Sequence, residues 1–135
     1  MSWSHVGLAA LTAAFLTSLA DWFFFGTLFH EHYKAFPEVW RRPRGGAGEG
    51  QAVALSALVS LLTPAVFVGL STALNVVEPM RVALLAVAIW AIAPLPILVG
   101  NFLFLKMHPR ILVAHSLGWL VKLLLCAAAV GVWMR

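Results

Sequence analysis

The chain has 135 residues, of which 62% are hydrophobic and only 10% charged, and its mean hydropathy is +0.95. That balance excludes an ordinary water-soluble domain, in which roughly a quarter of residues are charged, and makes the lipid bilayer the expected solvent. A formal net charge of +4 would suit nucleic acid, but a nucleic-acid reader needs a soluble face for its basic groups, and no such domain can be built from this chain.

The first apolar stretch, residues 6–29, contains one charge, Asp21. A signal peptide is the competing reading, since Ser18-Leu19-Ala20 resembles a cleavage site. However, the basic leader segment is missing and the apolar run continues through Trp22-Phe23-Phe24-Phe25. A polar, inner-face loop follows at about 30–51. It holds His30-Glu31-His32, the cations Lys34, Arg41, Arg42 and Arg44, the breakers Pro37 and Pro43, and a glycine-rich linker.

Residues 52–77 and 82–105 are apolar runs with no charge at all, separated by Glu78-Pro79. A third connection at His108-Pro109 leads to the last run, 111–133. At 1.5 Å per residue each run is long enough to cross a hydrocarbon core of about 30 Å. Because the runs are continuous rather than alternating with period two, helices are expected, not a barrel. The expected fold is therefore all-α: a polytopic membrane protein with four transmembrane helices in an antiparallel bundle, forming one transmembrane domain over 1–135. The two tight connections predict that helices two and three form one hairpin, and three and four another. Pro64, Pro94 and Pro96 predict kinks.

Lys34, Arg41, Arg42, Arg44, Lys106 and Arg110 fall in the first and third gaps, against Arg81 and Arg135 on the other side. The positive-inside rule then places loops one and three in the cytoplasm and both termini outside. Trp3, Trp40 and Trp133 lie near helix ends, where indoles favour the headgroup region. Two outside-in hairpins would also permit a parallel internal repeat, with Gly26-Thr27-Leu28-Phe29 matching Gly100-Asn101-Phe102-Leu103.

Ionisable groups within hydrocarbon are costly, so Asp21 and Lys122 depart furthest from bland packing. Helical rise puts them at roughly 13 and 18 Å from the inner boundary, a difference that a lysine stem spans. If helices one and four are neighbours, an ion pair would neutralise both charges and fix the register. The alternative use of the same groups is a proton, ion or ligand site. His115, Trp119, Lys122 and Cys126 share one stripe of helix four. Thr17 with Asp21, the group Ser56, Ser60 and Thr63, and Asn101 present further polar faces that could converge on one interior. Asp21, Lys122, Asn101, His115 and Thr17 are the candidate buried polar site, although serines and threonines in membrane helices more commonly serve as interhelical glue.

His30, Glu31 and His32 are ligand types that zinc uses, but side chains at i and i+2 of a helix point about 200° apart. Haem would need two axial histidines, and only His115 lies well inside, leaving a pairing with His30 or His32. No cofactor is expected beyond these two readings. The lone Cys126 offers neither a disulfide nor a thiolate zinc site. No nucleophile elbow, phosphate-binding loop, zinc-protease helix or paired-carboxylate arrangement is present, so nothing motivates hydrolysis or phosphoryl transfer.

The run Ala20-Asp21-Trp22-Phe23-Phe24-Phe25-Gly26-Thr27-Leu28-Phe29 with its following His-Tyr-Lys segment resembles the first helix of the bacterial family called domain of unknown function 1761. Ala93-Pro94, Asn101-Phe102-Leu103-Phe104, a short basic turn, and a last helix with His115, Trp119 and Trp133 resemble its third and fourth helices. The resemblance implies a small four-helix protein of the bacterial cytoplasmic membrane. It implies no reaction and carries no site residue across.

Three functional expectations follow. The first is a proton, ion or small-ligand binding or transport bundle, which four helices would serve best as a homo-oligomer. The second is a non-catalytic accessory subunit of a larger membrane complex. The third is a metal- or haem-binding protein acting on a lipid headgroup or quinone through His30-Glu31-His32.

Overall fold

The computed structural model describes residues 2–28, 36 and 48–135, and these contain helices and no strand. Four helical spans, Trp3–Leu28, Glu49–Ala73, Pro79–Phe104 and Pro109–Trp133, are each long and apolar enough to cross a membrane. The chain is thus an all-α membrane protein.

Three spans change character part-way. α1 (Trp3–Asp21) passes directly into a π-helical segment, Trp22–Leu28. The second span divides into α2 (Glu49–Ser60) and α3 (Leu62–Ala73), and the third into α4 (Pro79–Ile92) and α5 (Pro94–Phe104). Only α6, Pro109–Trp133, is one continuous α-helix. Proline causes the two divisions. Pro64 has no N–H for the carbonyl of Ser60, and its ring crowds that carbonyl, so the helix tightens at Leu61, whose N–H returns to Leu58 O at 3.2 Å. Pro94 acts likewise on Ala93, which takes φ −127° and ψ −73°. Pro96 falls in the first turn of α5, where a missing N–H costs nothing.

The helix ends explain where sequence and structure differ. The second apolar run extends to residue 77, yet the helix stops at Ala73. Asn75 adopts the left-handed φ of 52°, its N–H meets Thr72 O at 3.1 Å, and Val76 N–H meets Ser71 O at 2.9 Å. This pair of bonds is a Schellman closure, for which asparagine is a suitable residue. Glu78 then caps α4, accepting from Met80 N at 3.1 Å and Arg81 N at 2.9 Å, while His108 Nδ1 caps α6 by accepting from Arg110 N at 3.2 Å.

α6 is the axis of the bundle: 44% of its most apolar stretch is buried, against 11% to 17% in the other spans. It packs against α1, α3, α4 and α5. Its pairing with α1 is antiparallel, since Trp133 Nε1 donates to Thr12 Oγ1 at 3.1 Å while Lys122 lies beside Asp21. The pairing with α4 is also antiparallel, because Trp90 Nε1 donates to Ser116 O at 3.0 Å and Gly131 faces Pro79. Trp133 is therefore half-buried and tied to helix one, beyond the anchoring role expected of it.

The expected hairpin of helices two and three needs correction. α3 packs on α1 and α6, α4 packs on α6, and α3 and α4 do not form a packed pair. Five residues, Leu74 to Glu78, join them, the first three taken up by the closure of α3. At the two glycines matched for an internal repeat the winding differs, Gly26 being π-helical and Gly100 α-helical.

The core lies in one half of the bundle, towards the termini. Ala9 and Ala13 of α1, Phe67 and Val68 of α3, Val82 and Ala86 of α4, and Cys126, Ala127 and Val130 of α6 are all at most 2% exposed. Small residues let these helices approach closely, which is how membrane helices associate without a hydrophobic driving force. In the other half, called here the basic face after Lys106 and Arg110, neither the π-helical segment nor α2 nor α5 contains a buried residue.

Candidate functional site

Three polar side chains meet where the packed half of the bundle gives way to the open half. Asp21 is the last residue of α1, Ser60 the last of α2, and Lys122 sits in mid-α6. Lys122 Nζ lies 2.6 Å from Asp21 Oδ2, Ser60 Oγ donates to the same oxygen at 2.6 Å, and Lys122 Nζ also donates to Ser60 Oγ. Counting from Glu49 and Pro109, helical rise puts Ser60 and Lys122 at roughly 17 and 20 Å from the span ends. The cluster is therefore deep in the hydrocarbon region.

The Lys122 side chain is 5% exposed and that of Asp21 27%, so the ammonium is enclosed while the carboxylate keeps an open side. Trp119 adds its ring 5.5 Å from Lys122 Nζ, within the range in which an aromatic face attracts a cation. Each charge thus has an opposite charge and a hydroxyl partner, the condition under which a buried ion pair is tolerated.

The local sequence explains the geometry. Pro64 ends α2 at Ser60, placing that hydroxyl at a helix break beside the carboxylate. The π-helical winding begins at Trp22, directly after Asp21; such wide turns re-aim the side chains that follow them and recur at functional sites. Here they bring Phe25 onto His115, ring centroids 4.6 Å apart and 29° from parallel. Gly118 makes room: a Cβ there would stand 3.1 Å from Phe25 Cζ.

The other predicted site residues are distributed differently. His115 lies two turns from Lys122 on the same stripe and is partly buried against Phe25. Thr17 is 2% exposed, but its hydroxyl donates to Ala14 O of its own helix at 3.2 Å, so it lines the site's terminal side without joining the cluster. Asn101 is exposed on α5 and stands apart; α5 packs on α6 and α4 through half-buried residues such as Leu98 and Phe102, and Asn101 is not among them. Ser60 and Gly118 are the positions that sequence reasoning undervalued. A serine four residues before a proline was the available signal for the first, and the midpoint of the His115 to Lys122 stripe for the second.

His30, Glu31 and His32 lie outside the described residues. The zinc reading, and a haem pairing of either histidine with His115, therefore have no geometry to describe. Among the described residues no three histidine, cysteine, aspartate or glutamate side chains gather as metal ligands.

Chemically the cluster joins one acidic and one basic side chain through a shared hydroxyl, deep within the spans. A family model described as "Protein of unknown function (DUF1761)" matches residues 8–131. No curated protein and no solved structure matches the chain.

Proposed function

We propose, for a chain that belongs to the DUF1761 family of proteins of unknown function, that it is a bundle for binding or transporting a proton, an ion or a small ligand, and that Asp21, Ser60 and Lys122 are its exchange site. The observation that carries this reading is the enclosed ammonium hydrogen-bonded to a carboxylate that keeps an open side. Ionisable groups at that depth are expensive and mark functional pathways by default. A purely structural pair would gain nothing from leaving its carboxylate partly uncovered. The positive-inside asymmetry supports both termini outside and the basic face in the cytoplasm, and the resemblance to a bacterial family is what supports the bacterial cytoplasmic membrane.

The test is pH-dependent flux in proteoliposomes. Asp21→Asn and Lys122→Met should each abolish it; flux equal to the parent's in both variants would leave the pair a packing device. A second reading, a non-catalytic accessory subunit of a larger membrane complex, is favoured by the unburied α2 and α5 and by the exposed Asn101. Purification in mild detergent distinguishes them, since the accessory reading requires stoichiometric partner chains.

A further inference from the structure

In the packed half of the bundle α4 and α6 do not close completely on each other. A groove of about 300 Å³ runs between them, with Pro79 and Ala83 of α4 on one side and Leu124 and Val132 of α6 on the other. Its floor is made of small residues, Ala127 and Gly131, both buried, while Leu124, Ala128 and Val132 on its rim are exposed. The groove therefore opens outwards, away from the core. From Leu124 to Arg135 it follows about 16 Å of helical rise, close to the depth of one leaflet of a hydrocarbon core of about 30 Å.

Arg135, at the terminal end of the groove, is the one lining side chain that is not hydrocarbon. Its Nε donates to Gly131 O, one of the last carbonyls of α6, which have no partner within the helix. That bond holds the guanidinium beside the end of the groove and leaves its two Nη groups, a planar pair that matches phosphate oxygens in a bidentate contact. The span ends at Trp133, so Arg135 stands at the level of lipid headgroups. Two other charged side chains lie at this end of α4. Glu78 is engaged by Met80 N and Arg81 N, and Arg81 is set about 200° round the helix from Pro79 and from Ala83, off the groove.

The geometry points to a binding site for one anionic phospholipid, with an acyl chain lying in the groove between α4 and α6 and the phosphate on Arg135. The walls lie within two membrane spans, so the occupant must be soluble in hydrocarbon along the length of the groove and charged only at its terminal end. A phospholipid has that distribution, and its chain reaches as deep as the groove does. Arg135 sets the preference for a headgroup of net negative charge, because Arg81 and Arg135 outnumber Glu78 at this end of the two helices. None of Asp21, Ser60 and Lys122 lines the groove, and the site stands whether or not that cluster exchanges anything.

Native mass spectrometry of the full chain, delipidated in detergent and titrated with phosphatidylglycerol or with phosphatidylcholine of the same acyl chains, tests this. The parent should retain one phosphatidylglycerol per chain and bind it about tenfold more tightly than phosphatidylcholine, as expected of one charge-assisted contact. Arg135→Gln should bring the two lipids to parity, whereas Arg81→Gln, which removes a charge of the same sign outside the groove, should keep the preference. Ala128→Phe, an exposed position that folding does not depend on, fills the groove and should release both lipids. Equal retention of the two lipids by the parent, a preference that survives Arg135→Gln or is lost equally in Arg81→Gln, or unchanged retention in Ala128→Phe would each overturn the proposal. So would a protein chain that co-purifies from the native membrane, is not displaced by phosphatidylglycerol and is lost in Ala128→Phe, because the groove would then hold a helix.

Discussion

At the scale of single residues, Lys122 and Asp21 hold each other in an environment that neither would occupy alone. Removing one partner leaves an uncompensated charge, which in buried pairs costs about 3 kcal/mol or more. Lys122→Met should therefore lower the thermal stability of the detergent-solubilised protein by about that amount, and adding Asp21→Asn should restore most of the loss. A double variant no more stable than Lys122→Met would show that the two side chains do not interact. Gly118 acts through space, not charge. Gly118→Ala places a methyl against the Phe25 ring and should cost about 1 kcal/mol by overpacking, with the larger Gly118→Val costing more. Both charged residues stand out in the sequence because charge in an apolar run is conspicuous. Ser60 and Gly118 do not, because hydroxyls and glycines are ordinary components of membrane helices.

At the scale of elements, the existence of four helices follows from apolar length alone, whereas their ends and interruptions depend on local chemistry. Pro64 and Pro94 announce their breaks. The π-helical winding after Asp21 leaves no trace in Trp22-Phe23-Phe24-Phe25, since hydrophobic periodicity does not distinguish one helical winding from another over two turns. Leu74, Val76 and Val77 read as a continuation of the second span; Asn75 in the left-handed region overrides them. Asn75→Gly should thus be tolerated, and Asn75→Ala should cost about 1 kcal/mol because Cβ disfavours that backbone, as thermal unfolding would report. The cap of α4 brings a pH dependence. Backbone N–H groups of Met80 and then Arg81 hold the Glu78 carboxyl below its ordinary value of 4.5. A carboxyl depressed in the folded state contributes stability in full above its unfolded pKa and loses it as pH falls through the folded one. The stability difference between the parent and Glu78→Ala should accordingly be constant at neutral pH and shrink below pH 4.5; a difference that persisted in stronger acid would mean the cap does not depend on ionisation.

At the scale of the molecule, the bundle is two halves of different character around one continuous helix. Towards the termini, alanines and valines from all four spans close together, and the Trp133 indole of α6 donates to the Thr12 hydroxyl of α1, while further along the bundle the Trp90 indole of α4 donates to the Ser116 carbonyl of α6. Towards the basic face the π-helical segment, α2 and α5 bury no residue, and α6 alone contributes buried ones, Ile111, Ala114 and Gly118. The sequence shows four spans and their alternating direction, but not that the last one is central, because hydropathy measures affinity for oil and is silent about which neighbour supplies it. The pattern of Ala127, Ala129 and Gly131 in α6 is the nearest signal, small residues being what a helix surrounded by others requires. Everything proposed about exchange depends on Asp21 and Lys122 meeting across α1 and α6 in the bilayer. Solid-state NMR of the protein in lipid, with 15N in lysine and 13C in aspartate, measures that directly. A strong dipolar coupling between Lys122 Nζ and the Asp21 carboxyl, matching a separation within about 4 Å, is the expected result; a coupling too weak to detect, with both residues assigned and ordered, would contradict the account.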